Sequence, residues 1–161
     1  MQVEISLLTP QQAEECARIM ASNDPWKKVG RSYEDALSSF TKPEHTAFGL
    51  FIDGEMKGFL VLILNGLLGG GFIKSLYVDK EFRGSGLGKK LMTYGESKIF
   101  SQFANAYLCV SSFNKNAQLF YQRNGYAIVG ELDALIIPDS AEILMRKTMG
   151  PTSQFEPPAN Q

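Results

Sequence analysis

The 161-residue chain is 44% hydrophobic and 20% charged, the profile of one compact folded domain long enough to bury a sizeable core. Its 16 basic and 17 acidic side chains give a formal net charge of -1, which leaves no global positive field of the kind that draws proteins to phosphate backbones or anionic lipids. Nucleic acid and membrane are therefore not expected partners. With His45 the only histidine and Cys16 and Cys109 the only cysteines, a clustered metal site, a Ser-His-Asp mechanism and a disulfide framework are disfavoured as well.

Met1 to Thr9 carries Glu4 and has neither a basic leader nor a long apolar stretch, which predicts a cytoplasmic chain. Val3 to Leu8 reads as a strand. Thr9-Pro10 then supplies an N-cap and a proline at the first helical position, and Ala13, Cys16, Ala17 and Met20 recur at helical spacing, so a helix is expected from Pro10 to Ala21. Asn23-Asp24-Pro25 breaks it. Ser32 opens a second helix through Phe40, with Asp35 at the capping-box position and Tyr33, Ala36, Leu37 and Phe40 as its apolar stripe.

From Thr46 the pattern changes to strands. Thr46 to Ile52 and Lys57 to Leu64 are joined by Asp53-Gly54, a strong hairpin signal, and Phe72 to Val78 is a third strand. A helix follows from Gly86 to about Phe103, then a short buried strand from Ala106 to Val110 and a helix from Asn114 to Arg123 that Asn124-Gly125 stops. Tyr126 to Leu132 and Glu142 to Lys147 are the closing strands. The domain is expected to span residues 1–149, and the Pro-containing segment 150–161 to be a flexible tail.

The most informative stretch is Leu76-Tyr77-Val78-Asp79-Lys80-Glu81-Phe82-Arg83-Gly84-Ser85-Gly86-Leu87-Gly88-Lys89: an apolar strand, a turn, a glycine-rich loop and a helix. Glycines at 84, 86 and 88 let successive backbone N–H groups point into one concavity, to which the positive end of the helix adds. Arg83, Lys89 and Lys90 supply local cationic charge. This is an anion cradle that suits a pyrophosphate. A P-loop is disfavoured because Arg83 stands where its first glycine belongs and Lys90 where Ser or Thr would hold magnesium. A dinucleotide fingerprint is disfavoured because the loop reads G-x-G-x-G.

Arg83-x-x-Gly86-x-Gly88 resembles the acetyl-CoA signature of the GNAT superfamily of N-acetyltransferases: Arg or Gln, any two residues, Gly, any residue, then Gly or Ala. Ser75-Leu76-Tyr77-Val78 is similar to the family strand that runs beside the pantetheine arm. Asn114-x-x-Ala117-x-x-Phe120-Tyr121-x-x-x-Gly125-Tyr126 resembles the family's second motif, and with the hairpin before the loop the resemblance extends from Thr46 to Lys147. It implies an α+β fold, a mixed and mostly antiparallel sheet splayed into a V with helices on both faces. It also implies acetyl-CoA as cofactor, with CoA as product.

Position by position, the resemblance assigns the pyrophosphate to the loop residues Arg83, Gly84, Ser85, Gly86, Leu87, Gly88 and Lys89. Backbone groups of Leu76, Tyr77 and Val78 fall beside the pantetheine arm, and Asn114 matches a cofactor-contacting asparagine whose residue type is also a routine N-cap. Tyr121 stands where many members place the general acid that protonates the departing thiolate. A related subgroup acting on ribosomal-protein N-termini carries a glutamate base where Cys109 stands here, so no base is named. A water chain past Ser75, Ser111 or Ser112 is one route for the amine's proton.

The family recognises its acceptor with the N-terminal helices, their connecting loop and the last hairpin. The corresponding candidates are Trp26 and Tyr33, with Asp24, Phe40 and the turn Ile137-Pro138-Asp139-Ser140 nearby. The expected activity is acetyl transfer to a primary amine of a small molecule or peptide. The competing expectation is a non-catalytic acyl-CoA-binding or sensing module, and a nucleotide-phosphate binder rests on the glycines alone. A homodimer is left open.

Overall fold

The computed structural model describes residues 1–159, so Asn160 and Gln161 at the end of the expected tail lie outside the described residues. The chain runs through strand β1 (Val3–Leu7), helices α1 (Pro10–Ser22) and α2 (Tyr33–Thr41), and strands β2 (Thr46–Ile52), β3 (Glu55–Leu67) and β4 (Gly70–Val78). Helix α3 (Leu87–Phe100), strand β5 (Asn105–Ser111), helix α4 (Lys115–Arg123) and strands β6 (Ala127–Asp133) and β7 (Ala141–Thr148) follow. Among the described residues the seven strands form one sheet in the order β1-β2-β3-β4-β5-β7-β6. Its neighbours are antiparallel except β4 and β5. The mixed, mostly antiparallel sheet expected from the sequence is therefore present.

Period-two alternation in β3 divides the core between the sheet's two faces. Phe59 and Val61 join Tyr77 under the apolar stripes of α1 and α2, where Cys16, Met20, Ala36 and Phe40 are buried. Leu60 and Leu62 pack on the opposite face with Leu87, Leu91, Met92 and Ile99 of α3. Helices thus cover both faces. No helix among the described residues is long and apolar enough to cross a membrane.

Local chemistry sets the element ends. Asp53 (φ 50°) and Gly54 (φ 86°) make the β2–β3 turn that the Asp-Gly pair predicted. The structure extends β3 past Leu64 to Leu67, because Leu67 still pairs with Gly70 across a second tight turn at Leu68 (φ 47°) and Gly69 (φ 70°). Helix α3 ends at Phe100 rather than Phe103, as the Gln102 N–H turns back to the Ile99 carbonyl in a tighter final turn. In the tail, Thr152–Gln154 forms one turn of 3-10 helix.

Thr9 caps α1 reciprocally: the Gln12 N–H donates to its Oγ1 at 3.2 Å, and the Thr9 N–H donates to Gln12 Oε1 at 2.9 Å. Thr9→Ala is expected to cost about 1 kcal/mol and lower Tm by about 2–4 °C in a thermal melt.

Candidate active site

The sheet opens where β4 leaves β5. They pair in parallel only from Gly71 to Ile73 against Ala106 to Leu108. Beyond Ile73 the β5-facing edge of β4 has no strand partner, so its backbone N–H and C=O groups border a cleft. The opening coincides with a bulge: Ser75 lies opposite Val61 and Ile73 opposite Leu62, leaving Lys74 as the extra residue.

One turn of 3-10 helix (Lys80–Phe82) leads from β4 into the glycine loop. Arg83 Nε donates to the Val78 carbonyl at 2.9 Å, and its guanidinium lies 5.7 Å from the Tyr77 ring centroid. This fixes a cation at the cleft rim while leaving the Val78 carbonyl a second lone pair. Gly84 (φ +77°) and Gly86 (φ +87°) have left-handed backbones, and a Cβ at either would meet nothing within 4 Å. Their glycines serve the loop's curl, with open space above it. The first hydrogen bond closing α3 runs from the Lys90 N–H to the Gly86 carbonyl at 3.0 Å, so the N–H groups of Leu87, Gly88 and Lys89 have no intrahelical acceptor. Three such donors at the positive end of a helix have the geometry of the anion cradle expected there.

A cleft of about 770 Å³ runs from this loop along β4 to α4. Leu76, Tyr77, Val78, Arg83, Gly84, Gly86, Gly88, Lys89, Asn114, Tyr121 and Trp26, eleven of the residues expected at the site, line it. Ser85 does not; its hydroxyl donates to the Phe82 carbonyl and stabilises the loop from behind. The Leu87 side chain is buried in the α3 core, which leaves its backbone N–H as its only contribution to the cradle. Tyr33 lines neither this cleft nor its neighbour; it packs near the Arg18 guanidinium at 6.0 Å.

A second cavity of about 290 Å³ adjoins the first and shares Pro25, Trp26, Leu76, Asn114, Ala117 and Tyr121 with it. Trp26 is both lid and wall: its ring sits over Phe59 (5.9 Å) and Tyr77 (6.2 Å) and borders both spaces. Asn114 caps α4, its Oδ1 accepting from the Ala117 N–H at 3.3 Å.

Tyr121 stands at the junction, its ring held edge-on by Phe120 (5.4 Å) and Tyr126 (6.1 Å). Burial alone pushes its phenol up to about 12, so it stays protonated at neutral pH. Burial, together with the Asp79 carboxylate, also pushes Tyr77 up to about 12.

The smaller cavity holds a group the sequence did not single out. Glu142 of β7 is 5% exposed, lines this space and accepts a hydrogen bond from Ser111 Oγ at 2.8 Å. Burial raises its pKa, against the opposing effects of the Ser111 hydroxyl and the Arg31 charge. The available signal was a lone carboxylate in the otherwise apolar run Ala141-Glu142-Ile143-Leu144-Met145. Register places Glu142 opposite Ser111 and two residues along from Cys109, so a carboxylate absent from β5 is supplied by the adjacent strand. Cys109 itself is pushed up to about 11, by burial and then by Glu142, and is a thiol rather than a nucleophilic thiolate.

A model of the acetyltransferase (GNAT) family matches residues 12–126. A Bacillus subtilis subsp. natto protein named "Probable spermine N(1)-acetyltransferase" is 31% identical over 100 residues, covering 53% of this chain and 61% of that protein's length. The solved ribosomal-protein-S18-alanine N-acetyltransferase of Escherichia coli superposes with a TM-score of 0.76 at 18% identity, covering 95% of this chain and 97% of that one. An aminoglycoside 6'-N-acetyltransferase complexed with coenzyme A gives 0.73 at 23% identity, with coverage of 92% and 98%. The last two likenesses establish the fold, including its splayed sheet with helices on both faces. The family match spans the sheet opening, the glycine loop and α4 together, and the chain belongs to the GNAT family of acetyltransferases.

Proposed function

We propose that this chain is an acetyl-CoA-dependent N-acetyltransferase, one domain over residues 1–149, that passes the acetyl group directly to a primary amine. The observation that carries the reading is the meeting, at Tyr121, of a long cleft ending in an anion cradle and a smaller cavity containing a carboxylate. The residues present fit the cofactor. The N–H groups of Leu87, Gly88 and Lys89, with the Arg83 and Lys89 charges, hold a pyrophosphate, and the open edge of β4 at Leu76 and Val78 accepts the amides of a pantetheine arm as an added strand.

Acetyl-CoA supplies a thioester, at whose carbonyl carbon the N–C bond to the acceptor forms as the C–S bond breaks. Tyr121 donates its phenolic proton toward the sulfur. Glu142, in the same cavity, accepts the proton released by the amine, taking the place of the base that the sequence left unnamed. Trp26 and Pro25 wall both spaces and exclude water from the junction.

Calorimetric titration tests the reading. Acetyl-CoA and CoA are expected to bind at micromolar concentration while ATP does not, and acetyl-CoA should turn over with members of a primary-amine panel. Absence of CoA binding overturns the reading. Equal tightness for acetyl-CoA and CoA with no turnover of any amine would instead make the chain a binding module.

A further inference from the structure

The smaller cavity carries an unbalanced set of charges. Arg31, from the segment before α2, and Lys74, at the β4 bulge, both line it together with Glu142 of β7. Among the described residues neither Arg31 nor Lys74 has a carboxylate oxygen within 4.0 Å. Arg31 Nη1 donates to Ser39 Oγ at 3.3 Å, but its Nε is buried without any acceptor. A hydroxyl satisfies one guanidinium donor but leaves the charge itself uncompensated at the cavity wall. Lys74 is in a similar position: burial, then the charges of Arg31 and Lys42, disfavour its ammonium form. Two cations converge on a small space whose only acidic side chain is already hydrogen-bonded to Ser111.

Resting on the transferase reading above, we propose that the acceptor is a zwitterionic primary amine of amino-acid size, its carboxylate held by Arg31 and Lys74 and its amino group directed toward Glu142 and the junction at Tyr121. A carboxylate brings the negative charge that Arg31 and Lys74 lack at the cavity wall and relieves the repulsion between them, which a neutral or cationic group does not do. Glu142 supplies the complementary charge for the ammonium end. The cavity's volume of about 290 Å³ lies at the lower limit of small-molecule sites and suits a compact acceptor. A polyamine would bring added positive charge to Arg31 and Lys74. The inference therefore separates this chain from the polycation named for its Bacillus relative.

The test is a matched comparison. Free L-amino acids, their methyl esters and spermine are assayed with acetyl-CoA, and binding of the same compounds to the CoA-loaded protein is measured by calorimetry. The best free amino acid is expected to exceed its ester by roughly 10- to 100-fold in both kcat/KM and affinity. Lys74→Met should collapse that acid-to-ester ratio mainly through KM, and Lys74→Glu should move the preference toward spermine. Esters or spermine binding as well as, or better than, every free acid would overturn the inference while leaving the transferase reading intact. Absence of acetyl-CoA binding would overturn the transferase reading separately. Binding of the amino acids to the protein alone would then still decide the charge pattern, with no acid-to-ester difference counting against it.

Discussion

Gly86→Glu is expected to remove acetyl-CoA binding while leaving a folded protein. At φ +87° the left-handed backbone costs a non-glycine residue roughly 1–2 kcal/mol, so Tm should fall by a few degrees. A Cβ at this position meets nothing within 4 Å, and a carboxylate near the start of α3 is favourable for the free helix. The loss therefore belongs to the ligand. A carboxylate held about 4 Å from a pyrophosphate charge at an effective dielectric near 20 costs ~4 kcal/mol, roughly a 1,000-fold loss of affinity. Gly86→Asn is the control, since asparagine tolerates the left-handed region and adds no charge. It should retain most of the affinity. Calorimetry with CoA reads both variants, and wild-type affinity in Gly86→Glu would move the pyrophosphate away from this loop.

The same loop explains why the glycine cradle was legible in the sequence and the smaller cavity was not. Gly84, Gly86, Arg83 and the start of α3 are contiguous, so their conformational meaning follows from local chemistry. Asp53-Gly54 is legible for the same reason. The end of the next strand was less legible: the pattern stopped it at Leu64, whereas the structure carries it through Asn65 and Gly66 to Leu67, which pairs with Gly70. Glu142 and Ser111 are 31 residues apart and meet only through the β5–β7 register, while Lys74 is placed by a bulge that no sequence pattern announces. Trp26 is both a lid over the core and a wall of the site: its ring covers Phe59 and Tyr77 on one side and borders both cavities on the other. Tyr33 shared its candidacy on residue type and helix position alone, and the orientation of α2 takes it elsewhere.

Tyr121→Phe should lower kcat by about 10²- to 10⁴-fold with little change in KM for acetyl-CoA or in Tm. The substitution deletes one oxygen and keeps the ring contacts with Phe120 and Tyr126. Burial alone sets the phenol's pKa, with no hydrogen bond to a protein group contributing, so no native contact is broken by removing it. In the proposed role its value comes from charge that exists only as the C–S bond breaks, which is why ground-state binding should be spared. A phenol at about 12 is a weaker acid than an ordinary thiol near 8.5, a difference that would oppose proton transfer in water. At the junction, however, the desolvation that holds the phenol neutral also raises the basicity of a thiolate leaving beside it, bringing donor and acceptor closer in strength. The pH profile follows with its sign. Tyr121 should impose no alkaline loss of kcat below about pH 10, because the protonated donor persists there. Glu142 must be ionised to accept a proton, so its raised pKa should appear as an acidic limb that Glu142→Gln abolishes and Tyr121→Phe retains. A Tyr121→Phe kcat within twofold of wild type would assign thiolate protonation to solvent and leave the ring as a wall between the two cavities.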